Sequence, residues 1–185
     1  MRLAIIGIQG AGKGTQSKLI AREFNLKRIA IGDILRKEAK TKSKEARILK
    51  KHIDKGLMAP NPIVNRIILK NIPKDNFIID GFPRDEKQLW AAEKANLDKV
   101  ILLTLPKKEV YKRIKARRKL ENRADDQEKA LETRLKLFYQ HSPKIIKHFK
   151  DRIIKISGNH SIKQVFSNIK KALLKEKLKE RNLNQ

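Results

Sequence analysis

The chain has 185 residues, no cysteine and a formal net charge of +26, enough for one α/β domain that buries roughly 70% of its unfolded surface without disulfides. No apolar run reaches membrane-spanning length and the apolar start is too short for a signal peptide, so a soluble cytoplasmic protein is expected. The charge would suit a polyanion, but it is mostly Lys spread along the whole chain, and aromatic residues make up only 5% without interleaving with the basic runs, so A/T-rich codon usage accounts for it and no dedicated nucleic-acid partner is expected.

Leu3-Ala4-Ile5-Ile6 has the pattern of a buried strand. Gly7-Ile8-Gln9-Gly10-Ala11-Gly12-Lys13-Gly14-Thr15 leads from it into a helix running from Lys13 to about Phe24. Four glycines allow backbone N–H groups to turn inward as an anion nest at a helix N-terminus. Lys13 adds a mobile charge for the β/γ-phosphates, and Thr15 a hydroxyl near the phosphates or their Mg²⁺.

Lys27-Arg28-Ile29-Ala30-Ile31 reads as a second strand and Gly32 to Arg36 as the turn into a helix, with Asp33 favourable to its dipole. Thr41 to Lys55 is a lysine-rich amphipathic stretch ended by Gly56. Asn61 is expected to cap a further helix with Pro62 at its first position, so that two short helices form a lobe between strands two and three. Asn76 to Asp80 is a third strand ending in a carboxylate, which at that place can hold the water shell of a Mg²⁺. Next, Gly81 permits close backbone approach, Pro83 stiffens the turn and Arg84 offers a planar fork for a phosphate.

Lys99 to Leu105 is a fourth strand, buried on both faces, and Pro106 opens a helix that carries Arg113 and Arg117 on one side. A short polar break over Arg118 to Asp126 precedes a long helix with Leu131, Leu135 and Phe138 as its apolar stripe; Arg123 and Arg134, three turns apart, share another face. Arg152 to Ile156 is a fifth strand, Gly158-Asn159-His160 a loop, and Ser161 with Gln164 a capping box. The closing helix is expected to bury Ile162, Val165, Phe166, Ile169 and Leu173 and to end as a solvated charged tail. Five strands alternating with helices imply an α/β fold with a mostly parallel sheet covered on both faces.

The glycine loop departs from the general G-x-x-x-x-G-K-[ST] pattern, because Gly14 stands where Ser or Thr is expected and Thr15 comes one place later. Gly12-Lys13-Gly14-Thr15-Gln16, Gly32-Asp33-Ile34-Leu35-Arg36 and, most specifically, Asp80-Gly81-Phe82-Pro83-Arg84 resemble the nucleoside monophosphate kinases, adenylate kinase above all. The resemblance runs from Met1 to about Leu174. It implies a single P-loop kinase domain over 1–185, a five-stranded parallel sheet, an inserted monophosphate-binding lobe over 31–60 and a short lid over 117–127. That lid has no room for the zinc-capable form, and there is no cysteine to bind zinc.

It further implies a monomer that moves the γ-phosphoryl group of MgATP to AMP, giving two ADP. ATP would lie over Gly10, Ala11, Gly12, Lys13, Gly14 and Thr15, its base near Arg113 and His160, with Mg²⁺ held through water by Asp33 and Asp80. AMP would contact Ile31, Arg36, Leu57, Met58, Ala59, Gly81, Phe82, Pro83, Arg84, Gln88, Arg123 and Arg134. Lys13, Arg84, Arg117, Arg123 and Arg134 would surround the transferring group, under a lid that excludes water. The nucleophile is an anionic phosphate oxygen and needs no general base, so such a site requires only positioning and positive charge.

About three in ten basic residues are Arg; random filling would make Arg36, Arg84, Arg113, Arg117, Arg123 and Arg134 all arginine roughly once in a thousand. Within the resemblance Gln88, four after Arg84, favours AMP, whereas the UMP/CMP kinases carry Asn directly after the arginine, where this chain has Asp85. Ile31 stands where adenylate kinases usually have Thr and pyrimidine kinases Ala. Another nucleoside monophosphate kinase, and a basic nucleotide-dependent RNA-binding protein with a vestigial site, are the alternatives.

Overall fold

Alternate side chains of the first strand go to opposite faces and find no water on either. Leu3 and Ile5 enter one apolar cluster, Ala4 and Ile6 another. This strand, β1 (Arg2–Gly7), is the middle of a five-stranded parallel sheet, and the alternation repeats in β3 (Phe77–Asp80) and β4 (Lys99–Thr104): Phe77, Ile79, Val100 and Leu102 face one cluster, Ile78, Ile101 and Leu103 the other. Parallel strands covered by helices on both faces are apolar throughout for this reason. The computed structural model describes residues 1–121 and 126–183.

The strand order is β2-β3-β1-β4-β5, with β2 (Lys27–Ala30) and β5 (Ile153–Ser157) at the edges. From β1 the chain crosses through α1 (Lys13–Glu23) to β2, and returns through α2 (Ile31–Glu38), α3 (Lys44–Asp54) and α4 (Asn61–Asn71) to β3. It then passes α5 (Leu89–Lys94) into β4, α6 (Lys107–Glu121) and α7 (Glu128–His148) into β5, and closes with α8 (Ile162–Leu183). Because β3 flanks β1 on one side and β4 on the other, the loop after β1 opens at the point where the winding direction reverses, the usual ligand crevice of such sheets.

Several expected boundaries shift. Ile31 starts α2 instead of ending β2, so three helices separate β2 from β3, not two. α3 begins at Lys44, capped by Ser43, whose Oγ accepts from the Ala46 N–H at 3.0 Å. Asn61 is the first residue of α4 and caps nothing, its side chain being turned toward Asp85 and Gln88. At α8 the Ser161 Oγ does accept from the Gln164 N–H, yet the Gln164 carboxamide reaches forward to Asn168 instead of back, so half of the capping box forms. Ile162 is exposed, while Val165, Ile169 and Leu173 are buried.

Candidate active site

The turn from β1 into α1 is made by a glycine no other residue replaces cheaply. Gly12 caps α1 with φ +93°, a left-handed conformation that disfavours any Cβ. It brings no side chain to the first N–H groups of the helix, and no acidic residue stands in the first turn. The positive end of α1 therefore opens toward solvent at the carboxyl edge of the sheet.

Two cavities meet over this turn. One is polar and lined by Gly10, Gly12, Lys13, Gly14, Thr15, Arg28, Asp33, Asp80, Arg113 and Arg117. The other is apolar and runs under the α2–α4 lobe: Ile31, Leu35, Ile53, Leu57, Met58, Ala59 and Val64 line it, with Gln88 as a polar group and Phe138 and Ile145 from α7. Gln9, Lys13, Gly32, Arg36, Arg84 and Arg134 line both, so the wall between the cavities is largely cationic.

At that wall the Lys13 Nζ donates to the backbone carbonyls of Gly7 and Ile8 at 2.7 and 2.8 Å. The residue keeps some solvent contact, but its ammonium is enclosed by protein. That desolvation, and then the charge of Arg84, lower its pKa to about 7, with smaller lowering from Arg134 and Arg117 and a partial offset from Asp80. A lysine so placed is held in reserve for an anion. Arg84, whose Nε donates to the Gly81 carbonyl at 2.6 Å, lies folded against that glycine; a Cβ on Gly81 would come within 2.6 Å of the Arg84 Nη2.

Arg113 ties the glycine loop to the β5–α8 loop by donating to the carbonyls of Gly10 and Gly158, at 3.4 and 2.9 Å. Arg117 makes a forked pair with Asp126, a carboxylate fully shielded from water, and Arg118 donates to Gln127. These contacts pin the two ends of the expected lid. Arg123 lies outside the described residues.

The remaining predicted positions divide. Pro83 and Gly81 line the apolar cavity, whereas Phe82 is fully buried in the core and lines neither. Ala11 is buried in the loop, and His160 stands exposed outside both cavities.

Three further residues at the site carry no local sequence signal. Arg28 donates to Ser17 Oγ at 2.7 Å and to Asp80, and its Nη1 lies 3.5 Å from Asp33, so one guanidinium bridges the two carboxylates singled out for Mg²⁺. Ser17 also donates to Asp80 at 2.8 Å. Gln9 lines both cavities with a buried Oε1 that has no hydrogen-bond partner among the described residues. Strand alternation, with Ile29 buried, could have placed Arg28 on the exposed side of β2; only the pairing of β2 with β3 brings it to Asp80.

Known proteins match this chain in sequence. The adenylate kinase family model matches residues 5–154. The chain belongs to the adenylate kinase family. It is 34% identical to an adenylate kinase of Buchnera aphidicola subsp. Cinara cedri over 89% of this chain and 93% of that one. It is 32% identical to one of Azobacteroides pseudotrichonymphae over 91% and 95%, and 30% identical to one of Clostridium botulinum over 96% and 100%. The chain is thus a nucleoside monophosphate kinase of the adenylate kinase family, with that family's α/β sheet order. Among the described residues no helix is long and apolar enough to cross a membrane.

Proposed function

We propose that this kinase transfers the γ-phosphoryl group of MgATP to AMP, yielding two ADP, and serves adenine nucleotide balance in the cytoplasm as a monomer. The observation that carries this is the pairing of the two cavities: a polar one over a glycine loop and an apolar one with the carboxamides of Gln88 and Gln9, sharing a wall of Lys13, Arg36, Arg84 and Arg134. Each cavity suits one nucleotide, and the shared cations suit the phosphates between them.

In this reading the ATP phosphates follow the N–H groups from Gly10 to Thr15, and Lys13 leaves its two carbonyls to meet them. Arg36 and Arg84 hold the acceptor phosphate, while Arg117, Arg123 and Arg134 neutralise charge on the transferring group. Arg113 and the loop that ends at His160 flank the donor base, His160 through backbone. The aliphatic lining from Ile31 to Ala59 takes the acceptor base, with Gln88 reading its edge.

Mg²⁺ fits the acidic corner. Asp33 and Asp80 are hard oxygen donors beside Thr15, and both already converge on one cationic group, the Arg28 guanidinium. Held there through water, the ion would neutralise and orient the polyphosphate. No general base is needed, and alignment of two bound anions can supply on the order of 7–11 kcal/mol of the barrier.

The test is a panel of initial rates with MgATP and AMP, CMP, UMP, GMP or dTMP, with Arg84→Ala alongside. The proposal expects AMP to lead and the variant to lose activity by about 100-fold or more. Preference for UMP or GMP would keep the kinase and move the acceptor. Salt-sensitive RNA binding without transfer to any monophosphate would favour the RNA-binding alternative.

A further inference from the structure

Gln88 is almost wholly buried, and what lies behind it decides which way its carboxamide faces. Its Oε1 accepts from the backbone N–H of Arg84 at 2.8 Å, and its Nε2 donates to Asn61 Oδ1 at 2.8 Å. Asn61 does not line the apolar cavity. Its own Nδ2 donates to Asp85 Oδ2 at 3.0 Å, and the other Asp85 oxygen accepts from the Lys87 N–H at 2.8 Å.

The two ends of this chain are one-way groups. A backbone N–H can only donate, and an ionised carboxylate can only accept. Turning Gln88 over would set its NH₂ against the Arg84 N–H and its oxygen against Asn61 Oδ1. Turning Asn61 over to relieve the second clash would set its oxygen against Asp85. Both carboxamides are therefore held in one orientation, and Gln88 keeps one lone pair and one N–H unused for whatever occupies the cavity it lines.

We infer that Asn61, anchored by Asp85, is a specificity-determining positioning residue: it locks Gln88 to present an acceptor and a donor to an amino-bearing base and to reject an oxo-bearing one. The inference rests on the proposed acceptor role of the apolar cavity. Adenine offers an amino N–H beside an unprotonated ring nitrogen and matches the locked edge, as cytosine does. Hypoxanthine, guanine, uracil and thymine offer a carbonyl oxygen beside a ring N–H and meet it donor to donor and acceptor to acceptor. A site whose polar groups are left unpaired by the wrong partner discriminates far more strongly than one that reads shape.

The experiment compares kcat/KM for AMP and IMP, which differ only at that edge, in the wild type, Asn61→Ala and the double variant Asn61→Asp with Asp85→Asn. The double variant moves the carboxylate to position 61, where it still accepts from Gln88, so the lock is kept. The expected result is a wild-type preference for AMP that falls at least tenfold in Asn61→Ala, through a raised KM for AMP and a gain with IMP, and stays within about threefold of wild type in the double variant.

An equal loss on both substrates in Asn61→Ala, leaving the ratio unchanged, would overturn the lock and leave Asn61 a structural residue. A wild type that uses no amino-bearing base would overturn the acceptor reading itself, and is seen before any variant is made. If Asn61→Ala does not fold, the wild type still decides: the Gln88 side-chain NH₂ should show one slowly exchanging proton by NMR, and fast exchange of both contradicts the lock.

Discussion

Lys13 is withdrawn from water and sits among arginines, which is why its ammonium is easily deprotonated although two backbone carbonyls accept from it. A bound polyphosphate would restore the charge. At pH 8 the wild type should therefore take up a proton when it binds ATP, visible as a dependence of calorimetric binding enthalpy on the ionisation heat of the buffer, and Lys13→Met should abolish that dependence. The same shift acts on stability. The folded value is about 7 against 10.5 for an ordinary lysine, so the unfolded chain binds more protons between those limits and the free protein gains stability as pH rises through them. Lys13→Met, which removes the buried charge, should flatten that rise.

Arg28 is a second residue with a readable role. It occupies Asp80 and Asp33 with a resident cation, so Arg28→Gln should tighten Mn²⁺ or Mg²⁺ binding to the nucleotide complex severalfold, measured by Mn²⁺ electron paramagnetic resonance. An unchanged affinity would mean that the guanidinium leaves the carboxylates before the ion arrives. Lys13, Gly12, Asp80 and Arg84 were legible because each belongs to a local motif whose spacing encodes its chemistry. Arg28 and Asn61 were not, because their partners lie 52 and 27 positions away, and no periodicity reports a contact between elements so far apart in the chain.

At the scale of elements, the segment after Arg84 is stitched to α7. Glu86 accepts from Lys144 at 2.8 Å and pairs with His141 at 2.6 Å, and the His141 bond first, then Lys144, hold its carboxyl down at about pH 2. A lowered acid contributes stability that is complete above the unfolded value of 4.5 and is lost as pH falls toward 2. Glu86→Gln should thus have a lower Tm than wild type at pH 6, with the gap closing as pH drops through that window. Gly12 makes the complementary case in the loop, where Gly12→Ala should cost about 1–2 kcal/mol, read from denaturant unfolding, because its φ of +93° strains any Cβ. The three inner strands were read nearly to the residue, since burial on both faces leaves an unbroken apolar run, whereas the edge strands β2 and β5 are only partly buried. The lobe was read less well: α2 is short and starts with the buried Ile31, which local propensity assigns to the preceding strand.

Over the whole molecule, the excess of positive charge meets two anionic substrates in clefts lined by lysine and arginine. Such a field steers anions, so the association rate of ATP should fall steeply between 50 and 300 mM salt while the dissociation rate changes little, measured by stopped flow. On the proposed function, one phosphoryl group crosses directly between the two cavities past Lys13, Arg84 and Arg134. The most direct measurement is a single turnover with γ-labelled MgATP and AMP, quenched and separated by chromatography. The label is expected in ADP, with little released as inorganic phosphate; label released mainly as inorganic phosphate, or retained in ATP, would rule out direct transfer.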